Sequence, residues 1–154
     1  MTSATVRVFG AALLIAAVFG SRLAAQNDEQ TGVVIPLRTV VTPASDGESL
    51  ELSGTIAVRS QITTEADGTT VVLYSFTSAG TARGQTSKAT YDISGHGVER
   101  FAMDVELPAD RGFSASFTAT GRDKSHRFSA VVRASLDADG RMAAAVVTEI
   151  VSNP

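Results

Sequence analysis

The feature that most constrains this chain is an alternation of apolar and polar residues with a period of two, repeated in segment after segment. In LELSGTIAVRSQI (50–62) the even positions carry Leu50, Leu52, Ile56, Val58 and Ile62. The odd positions carry Glu51, Ser53, Thr55, Arg59 and Gln61. Side chains of a β-strand point to opposite faces in turn, so such a segment buries one face and wets the other. FSASFTATG (113–121) sets Phe113, Ala115, Phe117 and Ala119 against Ser114, Ser116, Thr118 and Thr120. HRFSAVVRASL (126–136) and RMAAAVVTEIV (141–151) have even-numbered apolar faces, and VERFAMDVEL (98–107) places Phe101, Met103, Val105 and Leu107 on an odd one. Beyond residue 25 no segment has helical spacing.

The turns supply a test, because the register they impose must keep apolar faces on one side. Ala66-Asp67-Gly68 and Ala138-Asp139-Gly140 suit three-residue hairpin loops closed by a left-handed glycine. The first sets Ile62 opposite Val72, Ser60 opposite Tyr74 and Val58 opposite Phe76. The second sets Leu136 opposite Met142 and Ala134 opposite Ala144. PADRG (108–112) places Leu107 opposite Phe113 and Met103 opposite Phe117, and RDKS (122–125) places Gly121 opposite His126 and Phe117 opposite Ala130. Gly95-His96-Gly97 reads as a third hairpin of the same kind, with Tyr91 facing Phe101, Ala89 facing Met103 and His96 at an exposed tip. SAGTARGQTSKAT (78–90) extends the strand before it with bends at Gly80 and Gly84, then turns near Thr86-Ser87-Lys88, in a register the sequence leaves open.

These pairings imply an all-β fold, an antiparallel up-and-down meander of about eight strands. Consecutive hairpins of long strands favour a closed or flattened barrel over the alternative, a β-sandwich. The mixture of phenylalanine and alanine on the inward faces fills a small barrel, which restricts a ligand to a shallow or terminal site.

The first residues concern destination. Arg7 precedes the apolar run VFGAALLIAAVFG (8–20), and SRLAAQ (21–26) offers small residues for cleavage after Ala25. This is the organisation of a signal peptide, too short to span a bilayer comfortably. The expected division is a signal at 1–25, an arm at 26–48 and a β domain at 49–154. Pro36 restricts any strand in the arm to a sheet edge or a strand end. The protein is expected to be secreted or periplasmic and to meet a membrane only through its signal. It contains no cysteine, so no disulfide is available in that compartment. Loss of Arg7 and Arg22 with the signal leaves 11 basic residues against 16 acidic ones, a net charge of −5. That balance argues against nucleic acid as a partner.

No arrangement with catalytic spacing emerges. GTARGQTSK (80–88) lacks the lysine directly after glycine that a phosphate loop requires. SLDADGR (135–141) and EADG (65–68) lack the further oxygen ligands of a calcium loop. His96 and Glu99 lie three apart on a strand, hence on opposite faces, and do not share a metal. Two histidines without cysteine make a structural zinc site improbable. Asp104 and Glu106 share a face, which reads as a solvated acid pair. No cofactor motif is present. His126 differs, because its parity points it inward at a strand end. Beside it, Gly121 leaves room, and Arg122 and Lys124 offer positive charge to an anionic or polar group. These four residues form the candidate ligand site.

SGTIAVRSQI (53–62), GQTSKATYDISGHGVERF (84–101) and DADGRMAAAV (137–146) resemble, at the level of pattern, small secreted bacterial all-β proteins without an assigned activity. The resemblance spans about residues 50–151. It implies the fold and export, and carries over no functional residue. The function expected from the sequence is an exported, non-enzymatic binding or interaction module whose partner is a small molecule or a protein. The alternatives are a small β-barrel enzyme using His126 with Tyr91 or Tyr74, and an outer-membrane β-barrel. Seven aromatics beyond the signal are few for the two girdles the last requires.

Overall fold

The alternating segments form seven strands in the structure of the protein, a computed structural model that describes residues 31–43, 47–103 and 106–153. They are β1 (Thr31–Val41), β2 (Leu50–Thr64), β3 (Thr70–Gly84), β4 (Thr90–Ala102), β5 (Ala109–Thr120), β6 (Ser125–Leu136) and β7 (Met142–Asn153). Each pairs antiparallel with the next, giving one up-and-down sheet in the order β1 to β7 that curls into a nearly closed barrel. At the seam the amide of Met142 donates to Thr31 Oγ1 over 2.8 Å, and that hydroxyl also contacts Ser60 Oγ at 2.9 Å. β1 is a sheet edge, which is where Pro36 is tolerated. The expected signal peptide at 1–25 lies outside the described residues.

Two aspartate-glycine turns work as their residue types dictate. Gly68 and Gly140 have φ of 86° and 78°, and their amides donate to the carbonyls of Glu65 and Asp137. Asp67 Oδ1 accepts from the amide of Thr69, and Asp137 Oδ1 from those of Asp139 and Arg141. The β2–β3 register follows, with Ile62 on Val72, Ser60 on Tyr74 and Val58 on Phe76. β3 runs unbroken through Gly80 to Gly84, and the chain turns at 85–89. There Glu48 accepts hydrogen bonds from the Ser87 amide at 2.6 Å and from its hydroxyl at 3.0 Å.

Four expectations are corrected. Gly95-His96-Gly97 is no turn. It lies inside β4, paired with Ser78, Thr77 and Phe76, so one strand replaces two and the count is seven. Its glycines serve tertiary packing. A Cβ on Gly97 would stand 2.6 Å from the Phe76 ring, and one on Gly95 would stand 2.5 Å from the Ser116 carbonyl oxygen.

The β4–β5 register differs accordingly. Ile93 pairs with Ala119, and Met103 does not face Phe117. In β5–β6 the turn tightens to 121–124, closed by the Gly121 amide on the Lys124 carbonyl. Ala119 therefore faces His126, and Phe117 faces Phe128. Last, β7 contains two bulges. Leu136 faces Met142, but Ala134 faces Ala145, and Val132 and Val131 face Val147 and Glu149. Each bulge moves the inward face by one residue.

The inward faces are layered by size. Phe113 faces Val132, Ala115 faces Ala130 and Phe117 faces Phe128, so large side chains meet in one layer and small ones in the next. Tyr74 lies at the centre, fully buried, stacked on Phe113 at 5.3 Å and edge-on to Phe101 at 5.5 Å. Its hydroxyl has no hydrogen-bond partner among the described residues. Burial pushes its pKa up, and the positive field of Arg111 opposes the shift. A raised folded-state value means the contribution to stability is complete below the unfolded value near 10 and declines as pH rises through the folded one. Tyr74→Phe should therefore leave the fold intact, stabilise it by about 1 kcal/mol by removing an unsatisfied hydroxyl, and lessen the loss of stability above about pH 10. Urea unfolding at neutral and alkaline pH measures both effects. A variant less stable than the parent at pH 7 would show that the hydroxyl is satisfied.

Candidate functional site

The loops fall at two ends. One end carries the turns at 65–69 and 137–141, the end of β4 and the start of β5; the other carries the turns at 85–89 and 121–124 and the end of β7. His126, at the second end, points inward as its parity requires and is 5% exposed. Its ring meets Tyr91 edge-on at 5.3 Å and lies 6.4 Å from Phe128. The space left by the missing side chain of Gly121 is occupied by Tyr91, whose ring would stand 2.7 Å from a Cβ placed there. Arg122 and Lys124 are exposed on the turn above. The sequence thus brings its four candidate residues to one end, but Tyr91 fills the room expected beside the imidazole.

A more open feature lies beside this end, on the outer surface, where the wall of the barrel divides. β4 and β5 pair only through Asp92, Ser94 and the residue between them, against Thr120, Thr118 and Ala119. Beyond Ser94 the strands part, while β4 stays paired to β3 up to Ala102. At Gly95 the two backbones still touch, and the Ser116 carbonyl takes the position a side chain would need. Alternation of burial is lost in the parted half, and Val98, Glu99 and Arg100 are all exposed. Val98 is 64% exposed.

At the root of this fork is a groove of about 450 Å³ lined by Ser94, Gly95, His96, Ser116, Phe117, Thr118, Arg127, Phe128 and Asn153. Register explains the set. Ser94, Thr118, Arg127 and Asn153 follow one another across β4, β5, β6 and β7 on the outward face. The hydroxyls of Ser116 and Ser129 lie 3.2 Å apart, and Asn153 Nδ2 donates to Ser129 Oγ over 2.8 Å. His96 and Arg127 bring the basic groups, both exposed. The remaining groups are hydroxyls, an amide and backbone, beside Phe117 and Phe128. Such a surface can hold an anion or a polar chain by charge and hydrogen bonds. It offers no nucleophile held by a base.

The fork escaped the sequence reading because its marker, Gly95-His96-Gly97, has the composition of a turn. Arg127 carried no signal beyond its outward parity. Among the described residues, no group of three or more His, Cys, Asp or Glu is placed to hold a metal ion, and no helix is long and apolar enough to cross a membrane. Fold and groove together define an antiparallel β-barrel with a forked wall and a polar, cationic recess at the fork. No known protein family, curated protein or solved structure matches the chain.

Proposed function

We propose that this protein is an exported, non-enzymatic binding module that takes up a small anionic or polar group in the groove at the β4–β5 fork. The observation that carries the reading is the end of the β4–β5 ladder at Ser94 beside exposed His96 and Arg127, in a barrel whose inward faces carry large buried side chains. A groove with a few converging polar groups is where binding concentrates. The signal-like first 25 residues and the resemblance to small secreted bacterial proteins support export. An enzymatic reading draws on the contact of Tyr91 with His126, but the two side chains are 4% and 5% exposed and a substrate has little access to them. A lipid-embedded barrel requires an apolar outer band. Here the outward faces carry Glu51, Arg59, Arg83, Asp92 and Arg133, and the large apolar side chains there are few and scattered among the described residues.

The test is an amide chemical-shift titration of the exported chain, whose intact mass should place its start at Gln26, with sulfate and with a small dicarboxylate as probes. Shifts should cluster at Ser94, His96, Ser116, Arg127 and Asn153. Shifts confined to Arg122, Lys124 and His126 would move the site to the turn at the end of the barrel. A spectrum unchanged by either probe would remove the anion-binding reading.

A further inference from the structure

We propose that the parted half of β4 is a docking edge for an extended segment of a partner protein, added as a strand beside residues 96–102. The segment has a β-branched apolar residue opposite Val98 and an acidic residue two positions away, over His96 and Arg127. The proposal rests on the binding-module reading and names the partner of that site.

Backbone geometry identifies the edge. Residues of an antiparallel strand direct their amide and carbonyl to one side in alternation. The Met103 amide donates to Thr70 on the β3 side, so odd residues of β4 face β3 and even ones face β5. Asp92 and Ser94 use their β5 side in the short ladder. His96, Val98, Arg100 and Ala102 direct theirs to the same side with no ladder partner on β5.

An unpaired edge is a template for another strand unless it is blunted. β1 is blunted by Pro36 and by the contact of Thr31 with Met142, and β7 by its two bulges. The open half of β4 has no proline and no bulge. It presents Val98, more exposed at 64% than Val34 at 46% or Val40 at 38%. Its one arginine, Arg100, is drawn aside by Glu65 in a bidentate pair of 2.6 and 2.9 Å. Strand addition gains main-chain hydrogen bonds from such an edge and specificity from alternate side chains.

Charge selects the occupant. A second copy adding by two-fold symmetry with Val98 against Val98 sets His96 opposite Arg100 on both sides of the axis. That pairing places no carboxylate opposite His96. A foreign segment is free to place a carboxylate over His96 and Arg127.

The experiment uses the full exported chain and a capped heptapeptide of threonines bearing one valine and, two positions on, one glutamate. Hydrogen exchange at the amides of His96, Val98 and Arg100 should slow at least tenfold at saturation. Val98→Lys, an exposed position, should weaken binding at least tenfold. Arg127→Glu should reverse the preference between this peptide and one with lysine in place of glutamate. Protection at β1 or β7 alone, protection nowhere, or unchanged binding by both variants overturns the proposal. So does a dimer in sedimentation that Val98→Lys makes monomeric, which assigns the edge to a second copy. If sulfate still shifts the groove residues while the peptide fails, the docking edge falls and the binding-module reading stands. If both probes fail, both fall.

Discussion

Gly80→Ala is expected to destabilise the barrel by about 2–5 kcal/mol, lowering the urea midpoint by about 1–2 M for a domain of this size. Gly80 on β3 pairs with Gly54 on β2, and the two backbones approach more closely than side chains allow. A Cβ on Gly80 would collide with the Ser53 carbonyl oxygen and stand 2.5 Å from Gly54 Cα. Its φ of 154° is also one that residues with a side chain rarely adopt. Overpacking of about 1–3 kcal/mol adds to backbone strain of about 1–2 kcal/mol. The obstacle is main chain on the neighbouring strand, so no rotamer change relieves it. Against a typical total of about 5–15 kcal/mol, the loss leaves a marginal fold. Gly112→Ala is the control. Its Cβ would meet only the Val132 carbonyl oxygen, at an ordinary 3.8 Å, and the change should stay within about 0.5 kcal/mol. Equal midpoints for the two variants would mean that the close approach of β2 and β3 is absent.

The glycine pair also shows what was legible in the sequence. A special role for Gly80 was readable, though as a bend: β3 runs unbroken there, and the glycine serves a close approach instead. Its partner Gly54 was not, because the alignment of two distant glycines depends on the β2–β3 register. The turns at 65–69 and 137–141 were readable for a local reason: aspartate and glycine encode their own geometry. Gly95-His96-Gly97 has nearly the same local signature. There the glycines answer to Phe76 and Ser116, neighbours supplied by other strands, and composition alone does not separate the two cases. The β7 bulges were hidden by AAAVV, a run apolar at every position that carries no parity. For β5–β6 the parity was right and the offset two residues wrong, because faces survive an even slip. The candidate site suffered by the same slip. His126 was placed correctly on the inward face, but its neighbour across the ladder is Ala119, and the gap at Gly121 belongs to Tyr91.

Phe128→Ala should cost about 4 kcal/mol, and it tests the premise that recognition happens on the outside of this barrel. Phe128 is fully buried, stacked on Phe117 at 5.4 Å across the β5–β6 ladder, with the His126 ring 6.4 Å away. Its neighbours on the inward face are small, Ala115 and Ala130 in the next layer and Ala119 opposite His126. Alanines have no side chain to swing into the space, so truncation leaves a void that relaxes little, and voids of this kind set the upper part of the range for phenylalanine. An apolar void also stays dry, so water does not recover the lost contacts. Phe128→Leu keeps most of the volume and should cost about 1–1.5 kcal/mol. Chemical unfolding of both variants gives the comparison. If Phe128→Ala costs less than about 1 kcal/mol, the ring borders open space in the folded protein. The barrel would then enclose a cavity able to receive a ligand, and the interior beside His126 would displace the fork as the place to look for one.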